Sequence, residues 1–243
     1  MNNYQFAYGD GKVTLPLEGC NILGELHGSK VEPVKDIRAA LCDSLDEPIG
    51  SEALYKRVKA GDTVALIVSD MSRFWMRQDL VVPHLVDYLT QRCGVQEADI
   101  SIVIANGTHE GGDEQELRTL VTDAVYDRVR VENHDCEATD LVYLGTTPHG
   151  TPVSINRTAA QADIVICLGA VTHHVMAGFG GGRKSILPGI SSRETIFHNH
   201  AFSLDAAQLR SNPAIGNGVL KGNPLHEDMC EAAGLVKNLF IIN

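Results

Sequence analysis

The chain has 243 residues, 44% of them hydrophobic and 21% charged, with 20 Lys and Arg against 31 Asp and Glu for a net charge of −11. That length and composition support a packed core and exclude a disordered chain. The negative charge argues against a nucleic-acid partner, and no apolar run reaches the ~18–20 residues a membrane span needs.

In chain order, the first elements are short strands at Gln5–Tyr8, Lys12–Leu15 and Asn21–Glu25, separated by Gly and Pro. Helices are expected over Pro33–Leu45 and over Ser51–Val58, the second with Ser51 as N-cap. From Thr63 the pattern alternates. Thr63–Val68 (TVALIV) reads as a strand buried on both faces, followed by a polar segment and a helix ending near Arg92. Ile100–Ala105 (ISIVIA) is a second such strand, followed by a Gly/His turn and a helix from Asp113. Val129–Asn133, Leu141–Thr146 and Thr151–Ile155 read as strands with short connections, Asp163–Ala170 (DIVICLGA) as a third buried strand, and Leu239–Ile242 (LFII) as a last one. Strands alternating with helices predict an α/β fold: a doubly wound, mostly parallel sheet with helices on both faces, preceded by short N-terminal strands. The expected unit is one α/β domain over residues 1–243. Its end just after a strand suggests a fragment, or a chain that works with a further domain.

The N-terminus has neither a basic region nor an apolar core, so it does not read as a signal peptide. Six cysteines without C-x-x-C spacing read as reduced thiols, and the expected compartment is the cytoplasm.

In a doubly wound sheet the ligand sits beyond the carboxyl ends of the strands. Each strong strand is followed there by polar residues: Ser69-Asp70-Met71-Ser72-Arg73, Asn106-Gly107-Thr108-His109-Glu110, and Val171-Thr172-His173-His174 running into Gly178-Phe179-Gly180-Gly181-Gly182-Arg183-Lys184-Ser185. Asp70, Arg73, His109, His174 and Lys184 are therefore expected to meet at one edge. Asp70 and Arg73 also read as a local ion pair, and Asn133-His134-Asp135 as a polar strand end. The glycine-rich loop approaches the phosphate loop G-x-x-x-x-G-K-[ST], but Arg183 stands where that motif needs its second glycine. His198 and His200 are two apart and cannot share a helix face, so at most one serves as a ligand. Two histidines from different strand ends can act as acid and base near neutral pH.

These residues resemble the N-terminal domain of the nickel-pincer lactate racemase family. The resemblance is carried by His174-Val175-Met176-Ala177-Gly178-Phe179-Gly180-Gly181-Gly182-Arg183-Lys184-Ser185-Ile186-Leu187-Pro188-Gly189-Ile190, by His198-Asn199-His200, by Ser44–Ser51, by Ser69–Arg73 and by Gly107-Thr108-His109. It implies an isomerase, a racemase or epimerase of a small-molecule 2-hydroxy acid. The implied cofactor is nickel pyridinium-3,5-bisthiocarboxylic acid mononucleotide, covalently held on Lys184 and supplied by cofactor-assembly enzymes. The resemblance further implies that His200 ligates the nickel, that Asp70, Met71, Ser72 and Arg73 contact the cofactor, and that His109 and His174 are the catalytic acid/bases. The family's C-terminal domain has no counterpart in these residues. Phe74-Trp75-Met76-Arg77 departs from the family pattern, and Trp75, the only tryptophan, points to a reshaped pocket and a substrate other than lactate. A non-catalytic cofactor-binding or carrier domain and a phosphate-loop transferase or hydrolase are the alternatives.

Overall fold

The computed structural model describes residues 3–243. They fall into two compact units, divided between Lys35 and Asp36. In the first, β1 (Asn3–Tyr8) and β2 (Gly11–Pro16) pair antiparallel, with Gly9 at φ 55° in the two-residue turn. No strand forms over Asn21–Glu25, contrary to the sequence expectation. Leu23 there is almost fully exposed, so ordering this stretch would gain no burial to offset its lost entropy.

The second unit opens with α1 (Ile37–Asp46), where the Asp36 side chain accepts from the Ala39 amide. That cap starts the helix four residues later than expected. α2 (Leu54–Arg57) is a single turn, and Ser51 does not cap it: its hydroxyl accepts from Arg57 Nη1 at 2.9 Å. There follow β3 (Val64–Ser69), two 3₁₀ turns (Met71–Met76 and Gln78–Leu80), α3 (Val82–Gln91) and β4 (Ile100–Ala105). Next come α4 (Glu114–Val121), capped by Asp113, then α5 (Asp123–Tyr126) and β5 (Arg130–Asn133). β6 (Val142–Thr146) and β7 (Pro152–Ile155) form a separate antiparallel pair, followed by α6 (Arg157–Gln161) and β8 (Ile164–Leu168). The chain then passes through β9 (His173–His174), β10 (Gly178–Phe179), α7 (Arg193–Ala201), β11 (Leu204–Asp205), β12 (Arg210–Ser211), α8 (Pro224–Gly234) and β13 (Leu239–Ile242).

Five strands make one parallel sheet in the order β13-β8-β3-β4-β5. Alternate residues face opposite layers, as strand geometry requires. Val64, Leu66 and Val68 of β3 pack with Leu45, Leu85, Leu89 and Leu120 from helices on one face. Ala65 and Ile67 pack with Ala159, Ile196, Leu225 and Met229 from helices on the other. This double burial explains why β3, β4 and β8 read as unbroken apolar runs. Each fully buried Val, Leu, Ile or Met side chain among these contributes about 1.5–3 kcal/mol.

β13 is an edge strand rather than a central one. It pairs only with β8, burying Phe240 and leaving Ile241 exposed. Among the described residues no helix is long and apolar enough to cross a membrane.

Candidate functional site

Strand order reverses between β3 and β8. The chain leaves β3 toward β4 and β5 on one side and returns to β8 and β13 on the other. The loops leaving β3 and β8 therefore diverge and open a crevice at their carboxyl ends. A cavity of about 330 Å³ lies there, and Arg73, His109, His174, Lys184 and His200 all line it.

The segment after β3 is closed on itself. Buried Gln78 accepts from the Ser69 amide at 3.1 Å and donates to the Ser69 carbonyl at 2.5 Å. Gln78 thus ties the far end of the loop to the strand from which it left. Within the loop, Ser72 Oγ donates to Asp70 Oδ1 at 2.6 Å, and Arg73 Nη1 donates to Ser72 Oγ at 2.5 Å. Asp70 is buried and its second oxygen meets His109 Nδ1 at 2.5 Å. The Asp70–Arg73 ion pair read from sequence exists, at 3.5 Å, but the closer partner of Asp70 is the His109 ring. Met71 packs against the hydrophobic core beside the sheet.

The loop after β4 carries His109. Gly107, at φ 57°, donates its amide to the Gly189 carbonyl, and a Cβ there would touch Pro188. Asn106 donates to Asn133 Oδ1 at 3.1 Å and to the His134 carbonyl at 3.0 Å. Asn133 in turn exchanges two hydrogen bonds with the Gly112 backbone. The Asn133-His134 segment, legible in sequence only as a polar strand end, is therefore the buttress of the His109 loop. His134 is buried with Nε2 on the Ser191 carbonyl, and burial holds its pKa below the usual value.

The glycine-rich loop is a clasp. Arg183 donates to the carbonyls of Ala177, Gly180 and Gly181. The Gly180 amide donates to the Thr172 carbonyl, the Gly182 amide to Asn243 Oδ1, and the Lys184 amide to the Gly181 carbonyl. A phosphate loop must present such amides outward to an anion; here they are spent inside the fold, which disfavours that alternative.

Lys184 Nζ lies 2.9 Å from His174 Nε2, while His174 Nδ1 accepts from the amides of Met176 (3.2 Å) and Ala177 (3.1 Å). Burial, then the charges of Lys184 and Arg73, press the His174 pKa down to about 4. Burial, then Arg73 and Arg183, press that of Lys184 down to about 8. A chain of net charge −11 thus carries a cationic crevice, suited to an anionic ligand.

His200 lies on α7, which Ser192 caps. Burial and the Lys184 charge lower its pKa, so the ring is neutral. Its Nδ1 is buried without a hydrogen-bond partner, and among the described residues no hydrogen bond claims its Nε2. A neutral ring nitrogen without a partner beside a cavity is a fit donor for a borderline metal ion. His198 is exposed, and exposed His173 packs against the Phe179 ring at 5.0 Å; neither lines the cavity. Asn199, between His198 and His200, has a structural role that the sequence does not reveal. It is buried and donates to Asp228 Oδ2 (2.7 Å) and the Leu225 carbonyl (3.0 Å), anchoring α7 to α8.

The fold and site define an α/β domain whose pocket gathers His109, His174, His200 and a lysine of depressed pKa at the switch point of the sheet. The family model for the lactate racemase N-terminal domain matches residues 8–211, and the chain belongs to that family. The lactate racemase of Thermoanaerobacterium thermosaccharolyticum is 32% identical over 247 residues, covering 100% of this chain and 56% of the relative. That of Lactiplantibacillus plantarum is 34% identical over 201 residues, covering 82% and 46%. The chain thus spans about half the length of these curated relatives. The solved lactate racemase apoprotein from T. thermosaccharolyticum superposes with a TM-score of 0.81 at 29% identity, over 100% of this chain and 58% of that one. A crystal structure of a Thermotoga maritima protein shares the fold, with a TM-score of 0.62 at 23% identity over 83% and 48% of the two chains.

Proposed function

We propose that this protein is the cofactor- and substrate-binding part of a 2-hydroxy-acid racemase or epimerase. The observation that carries the reading is the convergence of His109, His174, Lys184 and His200 on one cavity, with Asp70 behind His109. The names of the two curated relatives support it.

The α-hydrogen of a hydroxy acid is a poor proton, because its removal beside a carboxylate would build a dianion. The nickel-pincer nucleotide, when bound, supplies a carbon that takes this hydrogen as hydride. The protein supplies position and proton transfer. Lys184 is the residue to hold the cofactor covalently and His200 the residue to ligate its nickel; of the Asp70-Met71-Ser72-Arg73 loop, expected to contact the cofactor, only Arg73 lines the cavity, while Met71 packs on the core and Ser72 and Asp70 are bonded to each other. His109 donates Nδ1–H to Asp70, which leaves the Nε2 lone pair to take the hydroxyl proton. Arg73 can orient the substrate carboxylate through paired hydrogen bonds. His174 has Nδ1 occupied by two amides, so it exchanges a proton only at Nε2, serving the opposite enantiomer. Trp75 and Phe197, both exposed, line the same cavity and suit a substrate with a larger apolar group than lactate. The six cysteines are unpaired, which accords with a reducing cytoplasm.

The test is peptide mass spectrometry across Lys184, with nickel content, on protein co-produced with the cofactor-assembly enzymes. A nickel-associated adduct on Lys184 that is lost in Lys184→Ala is expected. An adduct retained in the variant would remove Lys184 from the role. In the full-length enzyme, near-normal turnover in both His109→Ala and His174→Ala would refute the two-histidine scheme.

A further inference from the structure

We infer that two carboxamides, Gln78 and Asn133, are the positioning residues of the Asp70–His109 pair. Each closes one of the two loops that meet there, and both are needed to hold the ring for proton transfer, an assignment that rests on reading His109 as an acid/base.

Asp70 and His109 follow different strands, β3 and β4, and meet across 39 residues of chain. Little else fixes the imidazole. Its side chain is half exposed at the cavity, and Asp70 Oδ2 is the one hydrogen-bond partner of the ring among the described residues. The contact is 2.5 Å, so a slip of about 1 Å in either loop carries it to the limit of a hydrogen bond. The pair is therefore only as well placed as the two loops that present it.

The first loop begins where β8 no longer accompanies β3. That pairing ends at Ile67 with Cys167, and Ser69 stands beyond it. Gln78 supplies what a strand would: Oε1 accepts from the Ser69 amide and Nε2 donates to the Ser69 carbonyl. Asp70 is the next residue and so departs from a fixed point. The second loop runs from Asn106 to Gly112. Asn133, at the end of β5, holds both ends of it. Its Oδ1 accepts from Asn106 Nδ2 (3.1 Å) and the Gly112 amide (3.2 Å), and its Nδ2 donates to the Gly112 carbonyl (2.8 Å). A Cβ on Gly111 would lie 2.8 Å from Asn133 Cγ, so the loop runs flush against the carboxamide. His109 stands midway, its amide bonded to the Asn106 carbonyl.

In both loops one side chain serves the N–H and the C=O of a single residue. A carboxamide does this as a peptide group would, whereas a carboxylate cannot donate and an ammonium cannot accept. It is also neutral, so it adds no charge beside a pair that moves protons. The two clamps differ in what they carry. The Gln78 loop bears Asp70 and Arg73, while the Asn133 loop bears His109 and not Arg73. Loss of Gln78 should disturb proton transfer and substrate binding together; loss of Asn133 should disturb proton transfer alone.

The first test uses this chain with ¹⁵N-labelled histidine at pH 8, His109 being assigned through His109→Gln. Hydrogen on Nδ1 and none on Nε2 is expected in the unsubstituted protein. In Gln78→Met and Asn133→Leu the two ring resonances should move toward each other as the single tautomer gives way to a mixture. Gln78→Glu and Asn133→Asp keep the shape and lose only the donor; they should shift the resonances less, and they serve if the apolar variants do not fold. Asp228→Ala, destabilised through a network elsewhere, should leave them in place. An unchanged His109 tautomer in the variants of either carboxamide overturns the inference, as does an equal change in Asp228→Ala. In the full-length enzyme, Asn133→Leu should lower kcat about a hundredfold with KM little changed, and Gln78→Met should also raise KM. A raised KM with unchanged kcat in Asn133→Leu would overturn the inference as well. A tautomer that depends on both clamps, in an enzyme whose His109→Ala variant still turns over, would instead refute the acid/base reading and leave the clamps standing.

Discussion

Asp228→Ala should be among the most damaging single substitutions outside the cavity. Asp228 lies on α8, fully buried, and accepts from Thr147 Oγ1 (2.6 Å), Thr151 Oγ1 (3.0 Å) and Asn199 Nδ2 (2.7 Å). One carboxylate therefore joins the β6–β7 turn, α7 and α8. Truncation orphans three buried donors, each worth about 1–3 kcal/mol when left unsatisfied. Against this stands the relief of a buried charge, which carries a desolvation penalty of several kcal/mol. The net loss should be about 3–5 kcal/mol. For a unit of this size about 1 kcal/mol corresponds to roughly 2–4 °C, so Tm should drop by about 6–20 °C. Asp228→Asn keeps the shape and one acceptor and should lose about half as much. The assay is urea unfolding at 25 °C followed by circular dichroism, with a thermal scan as a check. A loss under about 1 kcal/mol in Asp228→Ala would show that the hydroxyls and Asn199 find other partners, and would refute the network. Because Asn199 adjoins His200, the same variant should also weaken nickel retention at the ligand proposed there.

Asp70→Asn should slow turnover of the full-length enzyme by roughly three to four orders of magnitude, because an amide facing Nδ1 favours the wrong tautomer of His109. An unchanged rate, or an unchanged His109 tautomer by ¹⁵N NMR, would contradict the role given to Asp70. Stability should fall as pH drops from about 6.5 toward 4. His134, His174 and His200 all have folded pKa values below the unfolded one. Over that window the unfolded chain binds more protons, so the stabilisation present above pH 6.5 is lost on acidification. His149 acts in the opposite sense: Glu231 raises its pKa, so its contribution fades as pH rises through that raised value. Urea midpoints at pH 7 and pH 5 would decide; an equal or higher midpoint at pH 5 would contradict the assignment of buried neutral histidines.

The sheet strands were legible because burial on both faces leaves a continuous apolar signature, and β3, β4 and β8 are the central strands of the sheet. The convergence of Asp70, Arg73, His109, His174 and Lys184 was legible for a related reason: each follows a parallel strand, and parallel strands end at one edge. Local pattern misled where local energetics do not decide. Asn21–Glu25 has strand-like residues but nothing to bury against, and β13 has a central-strand sequence at an edge position.

Composition, periodicity and the order of the polar clusters were enough to define an α/β chain with a cavity at the strand ends, since these depend on residue type along the chain. The tertiary structure alone decided the partners. Asp70 holds His109 as well as Arg73, Gln78 and Asn133 become braces, Asn199 ties α7 to Asp228, and Arg183 clasps carbonyls instead of phosphate. Such roles depend on which donor meets which acceptor across tens of residues. That is a matter of distances of about 3 Å, which no spacing along the chain records.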